Sequence, residues 1–276
     1  MTVSPKPVSV ILSDAFALVK QVFMPLLIGA VIFSVVTGII AAGFAFGAAG
    51  VGLSRFEQRM AEYEQRLEAA NQRLAAGDTA ALDELTPPDI EAEAMASGLI
   101  SALPTILGGV LILILVSIIS RAYVTTVLVR RPKDAAEAFK LFWNDVIPLV
   151  LLWLWLVVRS FVWIPVIGWI YALVVIPRFT AAPLFLLEQK KGVTESTRLS
   201  MDATVGAWLR VVLPCLAAAI VAGVISAILG GLLGNDGMLM GFVLTLVGEL
   251  LGAWVMAVGI VVARDILAHP SAKVVA

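Results

Sequence analysis

Residues 101–120, SALPTILGGVLILILVSIIS, run for twenty positions without a charge. A helix of about twenty apolar residues matches the ~30 Å hydrocarbon core of a bilayer, and a single segment inside that layer satisfies its backbone N–H and C=O groups only by being helical. The run therefore predicts a transmembrane helix. Comparable runs at 22–47, 146–164, 166–187, 208–229 and 238–263 bring the expected number of spans to six. Composition agrees, with 61% hydrophobic and 14% charged residues against about 45–50% and 25% in soluble domains. The fold class this predicts is an all-α polytopic membrane protein. One membrane domain over 1–276 would carry six transmembrane helices, short cytoplasmic amphipathic helices and a helical extracytoplasmic loop. About twenty residues precede the first apolar run, which is longer than the ~7–15 residues of a signal-peptide core, so the first span is expected to be retained.

Six spans place both termini on one side, and the basic residues say which. Lys6, Lys20, Arg121, Arg130, Arg131, Lys133, Lys140, Lys190, Lys191, Arg198, Arg210, Arg264 and Lys273 fall on the side of the termini, and Arg55, Arg59, Arg66 and Arg73 on the other. The excess of Lys and Arg on cytoplasmic connections predicts a multi-pass protein of a bacterial inner membrane with both termini in the cytoplasm. Trp143 and Trp208 fall at the expected inner boundaries, and Trp163 and Trp169 flank the short outer turn Pro165-Val166-Ile167-Gly168, as interfacial aromatics do.

The soluble-looking segment is 53–97, a helical, acidic extracytoplasmic insertion. Leu53, Phe56, Met60, Tyr63, Leu67, Ala70 and Leu74 recur at alternating spacings of three and four, the seam of a short coiled coil. Gly77 and Asp78 end that helix, and Pro87-Pro88-Asp89 starts the next. The seam of Phe56, Met60, Tyr63, Leu67 and Leu74 has two readings: a helix folded on its own loop, or a surface for self-association or a protein partner. The acidic excess of this loop argues against its binding nucleic acid or anionic lipid headgroups. Membrane lipids are the other expected partner.

Three stretches that precede outward-going spans are alike: DAFALVKQVFMP from Asp14, EAFKLFWNDVIP from Glu137 and ESTRLSMDATVG from Glu195. Each reads as an amphipathic helix lying at the cytoplasmic interface before the chain turns into the bilayer. The unit is one interfacial helix plus one hairpin, used three times.

Residues 175–210, VIPRFTAAPLFLLEQKKGVTESTRLSMDATVGAWLR, resemble the bacterial six-span proteins related to the membrane domain of glycerophosphoryl diester phosphodiesterases. Arg178, Ala182-Pro183, Glu188, Glu195, Arg198, Ser200, Gly206 and Trp208 fit that pattern. Ser196 stands where the family has alanine, and Arg198-Leu199 replaces a basic pair. The resemblance covers the last half of the chain and implies a fold rather than an activity. The phosphodiesterase barrel of some relatives would need about 250 residues more.

No catalytic, cofactor or metal motif stands out. There is no G-x-S-x-G, P-loop or H-E-x-x-H; the lone His269 reads as a solvated tail residue, and the lone Cys215 as apolar packing. No enzyme, cofactor or metal is expected. What remains is intramembrane charge. Arg178 and Glu249 fall near the middle of the fourth and sixth predicted spans, at similar depths in ideal helices, and each costs about 2.5–3.5 kcal/mol at a helix centre. They form a candidate intramembrane ion pair, structural or functional. Arg159 lies close enough to the outer boundary to snorkel. Gly43 and Gly47, and the glycines from Gly223 to Gly234, suit close helix packing. The expected function is a non-catalytic membrane scaffold or accessory subunit in envelope or lipid organisation. The alternative is a carrier with a midplane Arg178/Glu249 site.

Overall fold

The structure, a computed structural model, describes residues 5–78, 90–160, 164, 166–233 and 238–269. Pro87, Pro88, Asp89, Trp163, Pro165, Gly234 and Lys273 lie outside them. In chain order the helices are α1 (Val8–Gln21), α2 (Phe23–Ala75), α3 (Ile90–Arg130), α4 (Ala135–Arg159), α5 (Ile167–Val175), a 3₁₀ turn (Ile176–Phe179), α6 (Ala182–Leu187), α7 (Val193–Ala203), α8 (Trp208–Leu233) and α9 (Met238–Ala268). No strand occurs among the described residues. The protein is an all-α polytopic membrane protein. Helices α2, α3, α4, α8 and α9 are each long and apolar enough to cross a bilayer.

The fourth predicted span, 166–187, is not one continuous helix. It passes from α5 through the 3₁₀ turn to α6. Pro177 and Pro183 account for the break: neither offers an N–H to the ladder, and each ring crowds the preceding turn. The Thr180 hydroxyl donates to Pro177 O at 2.6 Å, and the backbone continues as 3₁₀ rather than α.

The chain divides into two compact units, one of 1–36 with 116–276 and one of 37–115. In the first, α9 packs against α8 and α1. Ala253, Ala257, Val258, Val262, Ala263 and Ile266 of α9 are buried, as are all of Ala122 to Val129 at the end of α3. Helix α1 buries Ile11, Ala15 and Leu18, positions i, i+4 and i+7 of one face. Tyr123 is the hub, fully buried, with ring centroids of Phe33, Phe139 and Phe142 at 5.7, 4.9 and 5.5 Å. Its hydroxyl donates to Pro25 O at 2.8 Å. Helix α8 exposes Leu209, Leu213, Leu216, Ile220, Val224 and Ile228, an apolar face that is stable against lipid and not against water.

In the second unit residues 37–75 of α2 and 90–115 of α3 lie side by side. Gly52 and Gly98 meet so closely that a Cβ on Gly98 would lie 2.9 Å from Gly52 O, and Gly109 leaves room for the Phe44 ring. These glycines carry the close approaches, whereas Gly43 and Gly223 face open space. Helix α2 ends at Ala75, and Gly77 follows with φ 91, a left-handed residue of the kind that stops helices.

The three interfacial stretches differ in detail. α1 and α7 are separate helices, and Gly206 at φ 74 turns the chain after α7. The middle copy runs unbroken into α4, with Pro148 inside the helix. Its start is well capped: the Asp134 carboxylate accepts from Glu137 N at 2.8 Å, and the Glu137 carboxylate accepts from Lys133 N at 2.8 Å.

Candidate functional site

The structure does not bring Arg178 and Glu249 together: neither forms an ion pair within 4 Å among the described residues. The Glu249 carboxylate instead accepts from the Ser120 hydroxyl at 3.3 Å. The break in the fourth segment is the physical reason. A 3₁₀ turn advances about 2.0 Å and 120° per residue, against 1.5 Å and 100° in an α-helix, so depth and direction extrapolated along one straight helix do not hold past Val175.

Glu249 opens onto a cavity of about 160 Å³ between α3 and α9, shared with Ser117, Ser120, Arg121 and the glycines Gly248 and Gly252. The glycines take up no space on that face, and a Cβ on either would meet no other atom within 4 Å. Arg121, itself exposed, and Glu249 therefore line one small polar cleft between two otherwise apolar helices. Arg121 was expected at the inner boundary, but α3 continues to Arg130, nine residues or about 13 Å further along the axis. The cleft can hold water, a proton or a small ion.

Arg178 belongs to a different arrangement. The Ser200 hydroxyl of α7 donates to Arg178 O at 2.7 Å and accepts from Ala181 N at 3.1 Å, and the Thr204 hydroxyl adds a longer contact to Arg178 O at 3.4 Å. Ser200 and Thr204 are buried. Broken backbone inside a membrane protein needs such substitutes, because each unmet group costs several kcal/mol in hydrocarbon. Arg178 Nε is buried without a hydrogen-bond partner. Sequence reasoning missed the Ser200–Thr204 clasp. Its signal was a serine and a threonine four apart on a short helix just after a segment with two prolines.

Of the outer seam, Phe56, Met60, Tyr63, Leu67 and Leu74 are half-buried and Ala70 is fully buried, while the intervening residues are exposed. The seam is turned inward within its own unit, apart from Leu53, which is exposed. Beside the Gly52–Gly98 contact lies an apolar groove lined by Ala48, Leu53, Phe56, Leu99 and Ile106.

Cys215 lines an apolar cavity of about 240 Å³ with Trp153, Phe179, Pro183 and Met256. His269 is not a solvated tail residue. Its Nδ1 lies 3.0 Å from Asp265 O, and its own carbonyl accepts from Arg210. No group of metal-ligating side chains occurs among the described residues. No family model matches the chain, and no curated protein or solved structure is significantly similar to it.

Proposed function

We propose that the chain is a non-catalytic integral protein of a bacterial inner membrane, a scaffold or accessory subunit in envelope or lipid organisation. The observation that carries this reading is α2, an uninterrupted helix of 53 residues. It measures about 80 Å at 1.5 Å per residue, and a hydrocarbon core accounts for only about 30 Å of that. Charge begins at Arg55, so residues 54–75, about 33 Å at the same rise, form a polar helical segment beyond the apolar run, suited to contact with a partner outside the hydrocarbon. The excess of basic residues on the connections beside the termini supports cytoplasmic termini and an extracytoplasmic hairpin. The resemblance of residues 175–210 to the membrane domain of glycerophosphoryl diester phosphodiesterases supports a membrane role without chemistry of its own.

The test is crosslinking in native membranes with the full chain and with a variant in which 53–97 is replaced by a short linker, captured proteins being identified in both. The expected outcome is a defined partner held by the full chain and lost from the variant. The same partner captured equally by both would refute the scaffold reading.

The Glu249 cavity favours a second reading, a carrier whose midplane site is Glu249 with Ser120, without Arg178. Reconstituted in liposomes under a proton gradient, such a carrier would show a proton leak or coupled flux abolished by Glu249→Gln. Tight vesicles with both proteins would sink this reading.

A further inference from the structure

At the end of the first unit near Lys6 and His269, a cavity of about 480 Å³ opens between α1, the residue that follows α3 and the last turns of α9. Its charged walls are Lys6, Asp14, Arg131, Arg264, Asp265 and His269. Each carboxylate around it has a cationic partner, although Asp265 Oδ1, 3.3 Å from His269 Nδ1, takes no hydrogen bond. Lys6 Nζ lies 2.6 Å from Asp14, Arg210 lies 3.0 Å from Asp265, and Arg264 lies 2.9 Å from Glu188. Arg131 is left over: it makes no ion pair within 4 Å among the described residues. It also faces the same space as Arg264, and burial together with the Arg264 charge lowers the Arg131 guanidinium's pKa from its ordinary value.

The backbone holds Arg131 there at a cost. Its φ is 52, the left-handed region, which is strained for any residue with a Cβ. Its N–H still donates to Val127 O at 2.9 Å, and Pro132 follows, barring further helix. Two guanidiniums turned into one cavity, one with no carboxylate within 4 Å and only the more distant pull of Glu188, form the arrangement that recognises an oxyanion by paired N–H donors.

We propose that this cavity binds the phosphate group of an anionic ligand, a phospholipid headgroup or free phosphate, through Arg131 and Arg264. The single unmatched cation suits the single negative charge of a phosphodiester. The volume exceeds what a bare phosphate fills, and Leu18 and Val261 add apolar wall on which a glycerol moiety packs. The site serves a scaffold and a carrier alike, and its test reads binding without any transport or partner.

The experiment measures thermal unfolding of the purified full chain in dodecylmaltoside with added dioleoylphosphatidylglycerol, dioleoylglycerol or inorganic phosphate. Wild type is expected to gain several degrees of Tm from phosphatidylglycerol if the phosphate is a lipid's, or from millimolar inorganic phosphate if it is free, and nothing from the uncharged dioleoylglycerol. Arg131→Gln should raise the half-saturating concentration at least tenfold, and Arg131→Lys, which keeps the charge, should lie between. Lys140→Gln, outside the cavity, should behave as wild type. If Arg131→Gln does not fold, Arg131→Lys against wild type still decides. No gain from either phosphate source, or a gain that Arg131→Gln and Arg131→Lys keep in full, overturns the proposal.

Discussion

Gly29 is the position where one added methyl has the most to displace. A Cβ built there collides with Tyr123 Cε1 and lies 2.8 and 2.9 Å from Cδ1 and Cζ of the same ring. Relief requires the ring to retreat by about 1 Å, and it has nowhere to go. Tyr123 is fully buried, three phenylalanine rings surround it, and its hydroxyl is tied to Pro25 O on the same helix as Gly29. Overpacking of this kind costs about 1–3 kcal/mol. The gain of about 1 kcal/mol from alanine over glycine in a helix offsets part of it, leaving Gly29→Ala destabilised by about 0–2 kcal/mol. Tyr123→Ala alone should cost about 3–5 kcal/mol through the void it leaves. In the double variant the methyl occupies that void without a clash, so the two losses should fall short of additivity by at least about 1 kcal/mol. The assay is unfolding of the full chain in dodecylmaltoside titrated with SDS, for wild type, both single variants and the double. Additivity to within about 0.5 kcal/mol would show that the two residues do not share one space.

Ser200→Ala strips both the Arg178 carbonyl and the Ala181 N–H of a partner and should cost about 1–3 kcal/mol; Ser196→Ala, whose hydroxyl is buried without a partner, should be close to neutral in the same unfolding assay. Asp134→Ala removes the cap of α4 and should cost about 1 kcal/mol, read as faster amide hydrogen exchange at Ala136 and Glu137 and little change at Leu149. The hydrogen bond to Asp14 raises the pKa of Lys6 from its ordinary 10.5. A base raised in the folded state contributes stability below its ordinary value and loses it as pH climbs through the raised one. The difference in unfolding midpoint between wild type and Lys6→Gln should therefore be constant from pH 6 to 9 and shrink only above about 10.5.

Much of the fold is written in the chain at the level of single residues. An uncharged run of twenty specifies a helix because hydrocarbon offers its backbone no alternative, and this rule alone locates α2, α3, α4, α8 and α9. Gly77 marks the end of α2 because the left-handed backbone it adopts is cheap only for glycine. The period of three and four from Phe56 to Leu74 marks the face that is buried. Helix ends are less legible. The apolar run stops at Gly47 while α2 continues to Ala75, and the run from Ser101 to Ser120 lies inside a helix of 41 residues. Hydropathy reports where lipid is tolerated, whereas the helix stops where capping and turn residues stop it.

The candidate site was harder to read because pairing across a membrane protein depends on direction as well as depth. Arg178 and Glu249 are matched in depth only if the fourth segment is one straight helix, and Pro177 forbids that. The glutamate's actual neighbour, Ser120, stands at the end of the run that first identified the protein as membranous, one polar atom in a stretch that invites reading for grease alone. Such a serine is inconspicuous because isolated hydroxyls in membrane helices usually bond back to their own carbonyls, as Thr125 does to Arg121 and Thr126 to Ala122. Ser120 departs from that habit by donating across to Glu249, which Gly248 and Gly252 flank on α9. The legible signature is thus a glycine pair four apart bracketing an intramembrane acid. If the Ser120–Glu249 bond ties α3 to α9, the losses from Ser120→Ala and Glu249→Gln in the SDS unfolding assay should fall short of additivity by at least about 0.5 kcal/mol, and strict additivity would refute it.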